Sequence, residues 1–192
     1  MGTALTVNQI QLLRRHIRLA TGRDHIAVAT DADPAGWKAA QTAFWNLTAA
    51  DLDPRFVALP EGLDPADALQ AHGPELIQAA IANRTPLGDT MLEQTLRTAG
   101  HWSDAAVRQN IVEQAARILA ARGADTWTEP ITRLNHRLHL SPGILEHRTV
   151  NESIARDRDP TGYAQAAIRE TQDRARTGAL PPGRNSNTKA HP

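Results

Sequence analysis

The sequence predicts an α/β unit followed by an all-helical segment. Helix and strand patterns alternate across residues 7–60, the order expected of a sheet flanked by helices. Beyond residue 64 no further β-type run appears, and helical periodicity takes over. Alanine is abundant and aromatics make up only 4% of the chain, so the helices are expected to meet through small side chains.

The stretch VNQIQLLRRHIRLA (7–20) sets Ile10, Leu13, Ile17 and Ala20 on one helical face, and Gly22 stops it. HIAVAT (25–30) is a near-continuous run of small and β-branched residues, as in a strand covered on both faces of a parallel sheet. Residues 34–47 read as a helix, with Asp33 as the N-cap and Pro34 at the first helical position. RFVALP (55–60) is a second short strand. Helices are then expected over PADALQAHG ending at Gly73, PELIQAAIANR starting at Pro74, residues 86–100, residues 103–123 capped by Ser103 and stopped by Gly123, and residues 126–140 with Pro130 near the start. Residues 151–176 are charged and read as a marginal helix, and residues 177–192 have the composition of a tail.

Composition narrows the function classes. With 41% hydrophobic and 22% charged residues, the 192-residue chain can bury a core. It has no cysteine, which rules out disulfides and cysteine zinc sites within it. No stretch approaches the ~20 apolar residues of a membrane span, and the N-terminus lacks a secretory signal pattern, so a cytoplasmic protein is expected. Net charge is zero, without the basic excess usual in a stand-alone nucleic-acid binder. The 19 arginines against 2 lysines favour phosphate contact in principle, although coding bias accounts for the same ratio.

The chemistry centres on ATDADPAG (29–36). Asp31 and Asp33 stand where the first strand ends, the side of an open α/β sheet where ligands bind. Their i, i+2 spacing in a turning backbone lets both reach one divalent cation, and carboxylates plus water and phosphate oxygens are what Mg²⁺ prefers. The blander reading is a helix cap at Asp33 and a solvated loop residue at Asp31. A second acidic cluster, Glu61, Asp64 and Asp67 in EGLDPAD, follows the second strand, and two acidic strand ends one strand apart look like a metal-binding rim.

The ordered run ATDADPAGWKAAQTAF, a short strand, then LPEGLDPADALQAHGPELIQAAIANRTPLGDTML resembles the later half of the Toprim domain of bacterial DnaG-type primases. GTALTVNQIQLLRR at residues 2–15 resembles that family's Gly-Thr-Ala-x-Thr segment and the helix after it, and residues 86–140 resemble the helical subdomain that follows Toprim. The resemblance covers about residues 2–145. It implies a partial Toprim fold with a Rossmann-like parallel sheet in residues 1–85, a helical subdomain in 86–150, and a charged marginal helix with a flexible tail in 151–192. It also implies metal-dependent nucleotidyl transfer in RNA primer synthesis, with a single-stranded DNA template and nucleotides as partners. Asp31 and Asp33 would be the catalytic pair holding Mg²⁺ or Mn²⁺, Asp64 would match the first aspartate of the second acidic motif, and Asp67 falls one position later than the family's usual next acid.

Departures from the family matter too. The family's Toprim domain opens with a strand ending in a glutamate, and no residue before Asp24 is acidic here. The zinc module, the basic template-binding lobe and a helicase-binding domain are not recognisable. The expectation is therefore a truncated or split enzyme, inactive in primer synthesis by itself. It would have an unpaired sheet edge that self-associates or takes a partner, such as a replicative helicase or a chain supplying the rest of Toprim. Two rivals are a non-catalytic docking module in replication or plasmid transfer, and a Mg²⁺-dependent haloacid-dehalogenase-like phosphohydrolase with Asp31 as nucleophile. Against the latter, Pro34-Ala35-Gly36 stands where that family has Thr or Val, and Lys38 and Lys189 are the only lysines. His136, His139 and His147 have spacing compatible with zinc but read more simply as a polar helix surface. Trp37 and Trp45 are expected in the core, while all four tryptophans have the option of stacking on bases.

Overall fold

A computed structural model describes residues 5, 7–18, 26–60, 62–100, 102 and 104–177. Gly22, Asp24, Glu61, Ser103 and the expected tail lie outside the described residues. The order of elements is α1 (Val7–Arg18), β1 (Ala27–Ala29), α2 (Pro34–Ala49), β2 (Arg55–Val57), α3 (Pro65–Ala82), β3 (Thr85–Pro86), α4 (Leu87–Thr98), α5 (Ala105–Ala121), α6 (Thr128–Leu138), α7 (Ile144–Arg158) and α8 (Pro160–Thr177). The α/β unit followed by helices is therefore the observed architecture.

The sheet is small and mixed, in the order β1-β2-β3. β1 and β2 run parallel, with Val28 beside Phe56, as the sequence indicates. β3, which the sequence analysis did not anticipate, pairs antiparallel with β2 through Arg55 and Pro86 and through Phe56 and Thr85. β1 corrects another expectation. Val28 is buried, but Ala27 and Ala29 are exposed, so the strand is covered on one face only. Among the described residues it lies at the sheet edge, where a single neighbour and α2 leave its other face open.

The helices begin where local chemistry starts them. Asp33 Oδ1 accepts from Gly36 N at 2.6 Å and Pro34 follows as the first helical residue, so α2 starts as expected. At α3, Asp64 Oδ1 accepts from Asp67 N at 2.6 Å, ahead of Pro65. The two helices expected on either side of Gly73 are both present within Pro65–Ala82: Gly73, at φ 74° and ψ 179°, interrupts the helical backbone in a conformation glycine adopts without a Cβ penalty, and Pro74 starts the second. At α5 the cap is Asp104, whose carboxylate accepts from Ala106 N at 2.7 Å, in place of the expected Ser103. In α1, Ile10 is buried while Leu13 is exposed, because the helix turns Ile10 toward α2.

One hydrophobic cluster runs from Ile10 in α1 to Ile168 in α8. Its centre is α5, where Ile111, Val112, Ala115, Ala116, Ile118 and Leu119 are all buried. The alanines let α7 lie close along α5, and Leu145 and Thr149 of α7 are fully enclosed there. Residues 151–176 are thus not one marginal helix: they belong to two packed helices, α8 lying on α2 through Ala164, Ala167 and Ile168.

Two ionic networks brace the fold, one joining the helices to the sheet and one joining helices to each other. The Arg122 side chain, 4% exposed at the end of α5, donates from Nε and Nη2 to Asp53 at 3.1–3.2 Å and from Nη1 to Asp89 at 2.9 Å. Burial opposes its charge, but the two carboxylates outweigh that and hold its pKa above the ordinary arginine value. Gly88 makes this possible, since a Cβ there would lie 2.6 Å from Arg122 Cδ. The second network joins Arg117 of α5 to Glu170 of α8 and, at 3.8 Å, to Glu152 of α7, which accepts from Tyr163 Oη at 2.8 Å. Burial and Glu152 together push the Tyr163 phenol well above its usual range. Burial disfavours the Glu170 charge, but Arg117 and Arg174 outweigh it and hold its carboxyl below the ordinary 4.5.

These networks make two predictions. Arg122→Met leaves Asp53 without its cation and Asp89 with only the longer contact to Arg133, and should cost about 3–5 kcal/mol in urea unfolding. Because the folded-state pKa of Glu170 is depressed, its contribution is complete above the unfolded value near 4.5 and is lost as pH falls through the lower folded value. Glu170→Gln should therefore be less stable than the parent at pH 7, and the gap between the two urea midpoints should close as the solution is acidified.

Candidate metal-binding cleft

The carboxyl end of β1 opens into a cleft of about 660 Å³ lined by Thr30, Asp31, Asp33, Trp37, Phe56 and Arg97, among others. Asp31 and Asp33 are both exposed, so their carboxylates face solvent. Their backbone is nevertheless fixed. The start of α2 packs so tightly on Asp31 that a Cβ on Gly36 would stand 2.0 Å from the Asp31 carbonyl oxygen. This is the structural reason for the glycine in Asp-Pro-Ala-Gly. One oxygen of Asp33 is committed to the α2 cap, which leaves the other for a ligand.

The two acidic turns meet. Ala32 N, between the two aspartates, donates to Leu63 O at 3.4 Å, immediately before Asp64. The turn after β1 is thereby joined to the turn after β2. Asp64 is half-buried and caps α3, and Asp67 is exposed in its first turn. Among the described residues no three acidic or histidine side chains gather closely enough to hold a metal as a set. Asp31 and Asp33 line one cleft, while Asp64 and Asp67 are not part of its lining and their turn is joined to it by the Ala32–Leu63 bond.

Sequence reasoning missed several cleft residues. Thr30 has a buried hydroxyl without a hydrogen-bond partner at the very end of β1. Gln94 and Arg97 reach the cleft from α4, and their i, i+3 spacing on one helix face is the only sequence signal for them. Trp37 and Phe56 form an edge-to-face pair with centroids 5.8 Å apart, giving the cleft an apolar wall. The donor set suits a hard cation: exposed carboxylate oxygens, an unpartnered hydroxyl, and space for water or phosphate oxygens.

His136, His139 and His147 are exposed, and His139 ends α6 in the left-handed conformation with φ 50°. Trp102 and Trp127 are structural: Trp102 Nε1 donates to Leu96 O at 3.2 Å beneath Arg137, and Trp127 Nε1 donates to Leu119 O at 2.7 Å.

Comparison with known proteins agrees with this architecture. The family described as Toprim-like matches residues 1–69. A DNA primase of Streptomyces coelicolor is 28% identical over 169 residues, covering 85% of this chain and 26% of that protein. The crystal structure of a DNA primase domain from Pseudomonas aeruginosa superposes with a TM-score of 0.60 at 26% identity, covering 77% of this chain and 46% of that one. A DnaG primase catalytic domain, solved bound to single-stranded DNA, shares the fold at 23% identity and a TM-score of 0.58, covering 73% of this chain and 43% of that one. The chain spans about a quarter of the first relative's length and less than half of each solved chain.

The contact between Gly36 and Asp31 makes a prediction. Gly36→Ala should force the α2 N-terminus away from the aspartate turn and lower stability by about 1–3 kcal/mol, read from the urea midpoint.

Proposed function

We propose that this chain, a DNA primase-like segment with a Toprim-like first third, contributes a divalent-metal aspartate pair to RNA primer synthesis on single-stranded DNA in the cytoplasm. The observation that carries the reading is the exposed Asp31 and Asp33 at the carboxyl end of a parallel strand, facing an open cleft on a backbone locked by Gly36. Mg²⁺ or Mn²⁺ held there would neutralise phosphate charge and help orient an attacking 3′ oxygen.

The chain's own residues have separate tasks in this reading. Asp31 and the uncommitted oxygen of Asp33 bind the cation, and Thr30 adds an unpartnered hydroxyl at the same strand end. Arg97 brings a guanidinium to the cleft and attracts nucleotide phosphates. Asp64 caps α3 through Asp67 N, and the Ala32–Leu63 bond holds this second turn against the aspartate pair. The likeness to a primase domain bound to single-stranded DNA supports the choice of template class.

The test is calorimetric titration of Mg²⁺ and Mn²⁺ into the chain and into Asp31→Asn and Asp33→Asn. Asparagine also caps helices, so Asp33→Asn removes the charge and keeps α2 intact. Saturable binding in the parent should weaken at least about tenfold in each variant, the scale seen even for groups that only orient a metal ligand. A folded parent that binds neither ion, or binding unchanged in both variants, overturns the proposal.

A further inference from the structure

A second cavity, of about 300 Å³, lies between α2, α4, α5 and α8. That volume is at the lower limit of small-molecule pockets. Its walls include Trp37, Gln41 and Trp45 from α2, Gln94 from α4, and Gln114 and Ile118 from α5.

Trp45 sets this cavity apart. It is only 5% exposed, yet its indole N–H is buried without an acceptor. Trp102 and Trp127 each give theirs to a backbone carbonyl, as buried tryptophans ordinarily do. The uncharged polar side chains around it are the amides Gln41, Gln94 and Gln114 and the hydroxyls of Thr95, Thr98 and Thr171. The hydroxyls donate to carbonyls of their own helices and Gln114 Nε2 donates to Asn110, which leaves the amides of Gln41 and Gln94 to offer both a donor and an acceptor. The charged side chains on the α8 side are paired with one another, although Arg174 Nε is buried without a partner. Arg117 and Arg174 share Glu170, and Arg117 also meets Glu152. An anion would have to compete with these carboxylates for the arginines, whereas a neutral ligand need not.

From the unpartnered indole N–H, the aromatic walls and the amide lining, we infer that this cavity binds a neutral, planar heteroaromatic ring with acceptor and donor atoms along its edge, of the nucleobase class. The ring stacks on tryptophan and amides read its edge, while an edge acceptor takes the Trp45 N–H. Trp37 and Gln94 line both this cavity and the acidic cleft, so the two sites adjoin, but base binding requires no metal.

The test uses nucleosides, which lack phosphate, in the presence of a chelator, so that its failure is separate from failure of the metal site. Adenosine, guanosine, cytidine and uridine are titrated into the full chain by calorimetry and by ¹H–¹⁵N spectra. The indole peak that disappears in Trp45→Phe is that of Trp45. At least one nucleoside should bind saturably and move that peak, as expected when its N–H gains an acceptor. Trp45→Phe, which keeps an aromatic ring, should weaken binding about tenfold, and Gln41→Leu should weaken it as well; should Trp45→Phe not fold, Gln41→Leu decides. No saturable binding of any nucleoside to the folded chain, an unmoved Trp45 peak, or unchanged affinity in the folded variants overturns the inference.

Discussion

The Arg122 guanidinium, enclosed at the end of α5, can remain charged there only because Asp53 and Asp89 surround it. Those three residues come from the approach to β2, the start of α4 and the end of α5. An unpaired charge in that position would be strongly unfavourable, so the three segments have one low-energy arrangement. Gly88 leaves the space through which the arginine passes. The adjoining bond from Leu87 N to Pro54 O, 2.9 Å, prolongs the same register beside β3. The sheet and the helices are joined here.

The cleft depends on that joint at one remove. β2 is held by it, β1 pairs with β2, and the acidic turns leave the carboxyl ends of both strands. Backbone contacts then do what side-chain burial cannot. Gly36 presses α2 onto Asp31, and Ala32 bonds to Leu63, so Asp31 and Asp33 stay exposed without being loosely held. A carboxylate that must meet a cation needs both properties: access to solvent, and a main chain that does not reorganise on binding.

The helices after residue 144 add a wall. α8 lies on α2 and is tethered to α5 by Arg117 and Glu170, and the space left between them is lined by Trp45, whose buried indole N–H has no partner. The acidic cleft and this cavity therefore adjoin across Trp37 and Gln94. Trp45 differs here from its neighbour and from two other indoles, since the Thr48 hydroxyl and the N–H groups of Trp102 and Trp127 do find carbonyl acceptors.

What the sequence determined by itself was local. Asp33-Pro34 and Asp64-Pro65 specify helix starts within four residues, the β-type runs around Val28 and Phe56 specify two strands, and the spacing of the aspartates locates the acidic turns. Each of these is governed by neighbours in the chain, so pattern and cap chemistry suffice. Only the tertiary structure decided the rest. The two-residue β3 is too short for a pattern. Whether Ala27 and Ala29 are covered depends on what packs beside β1. The charged run after residue 150 looked marginal because its partners, Thr48, Asp51 and Arg117, lie far back in the chain. Asp53 and Arg122 are 69 residues apart, and nothing in their own neighbourhoods marks either as buried. Desolvation and pairing are properties of the assembled core, and they appear only once distant segments are brought together.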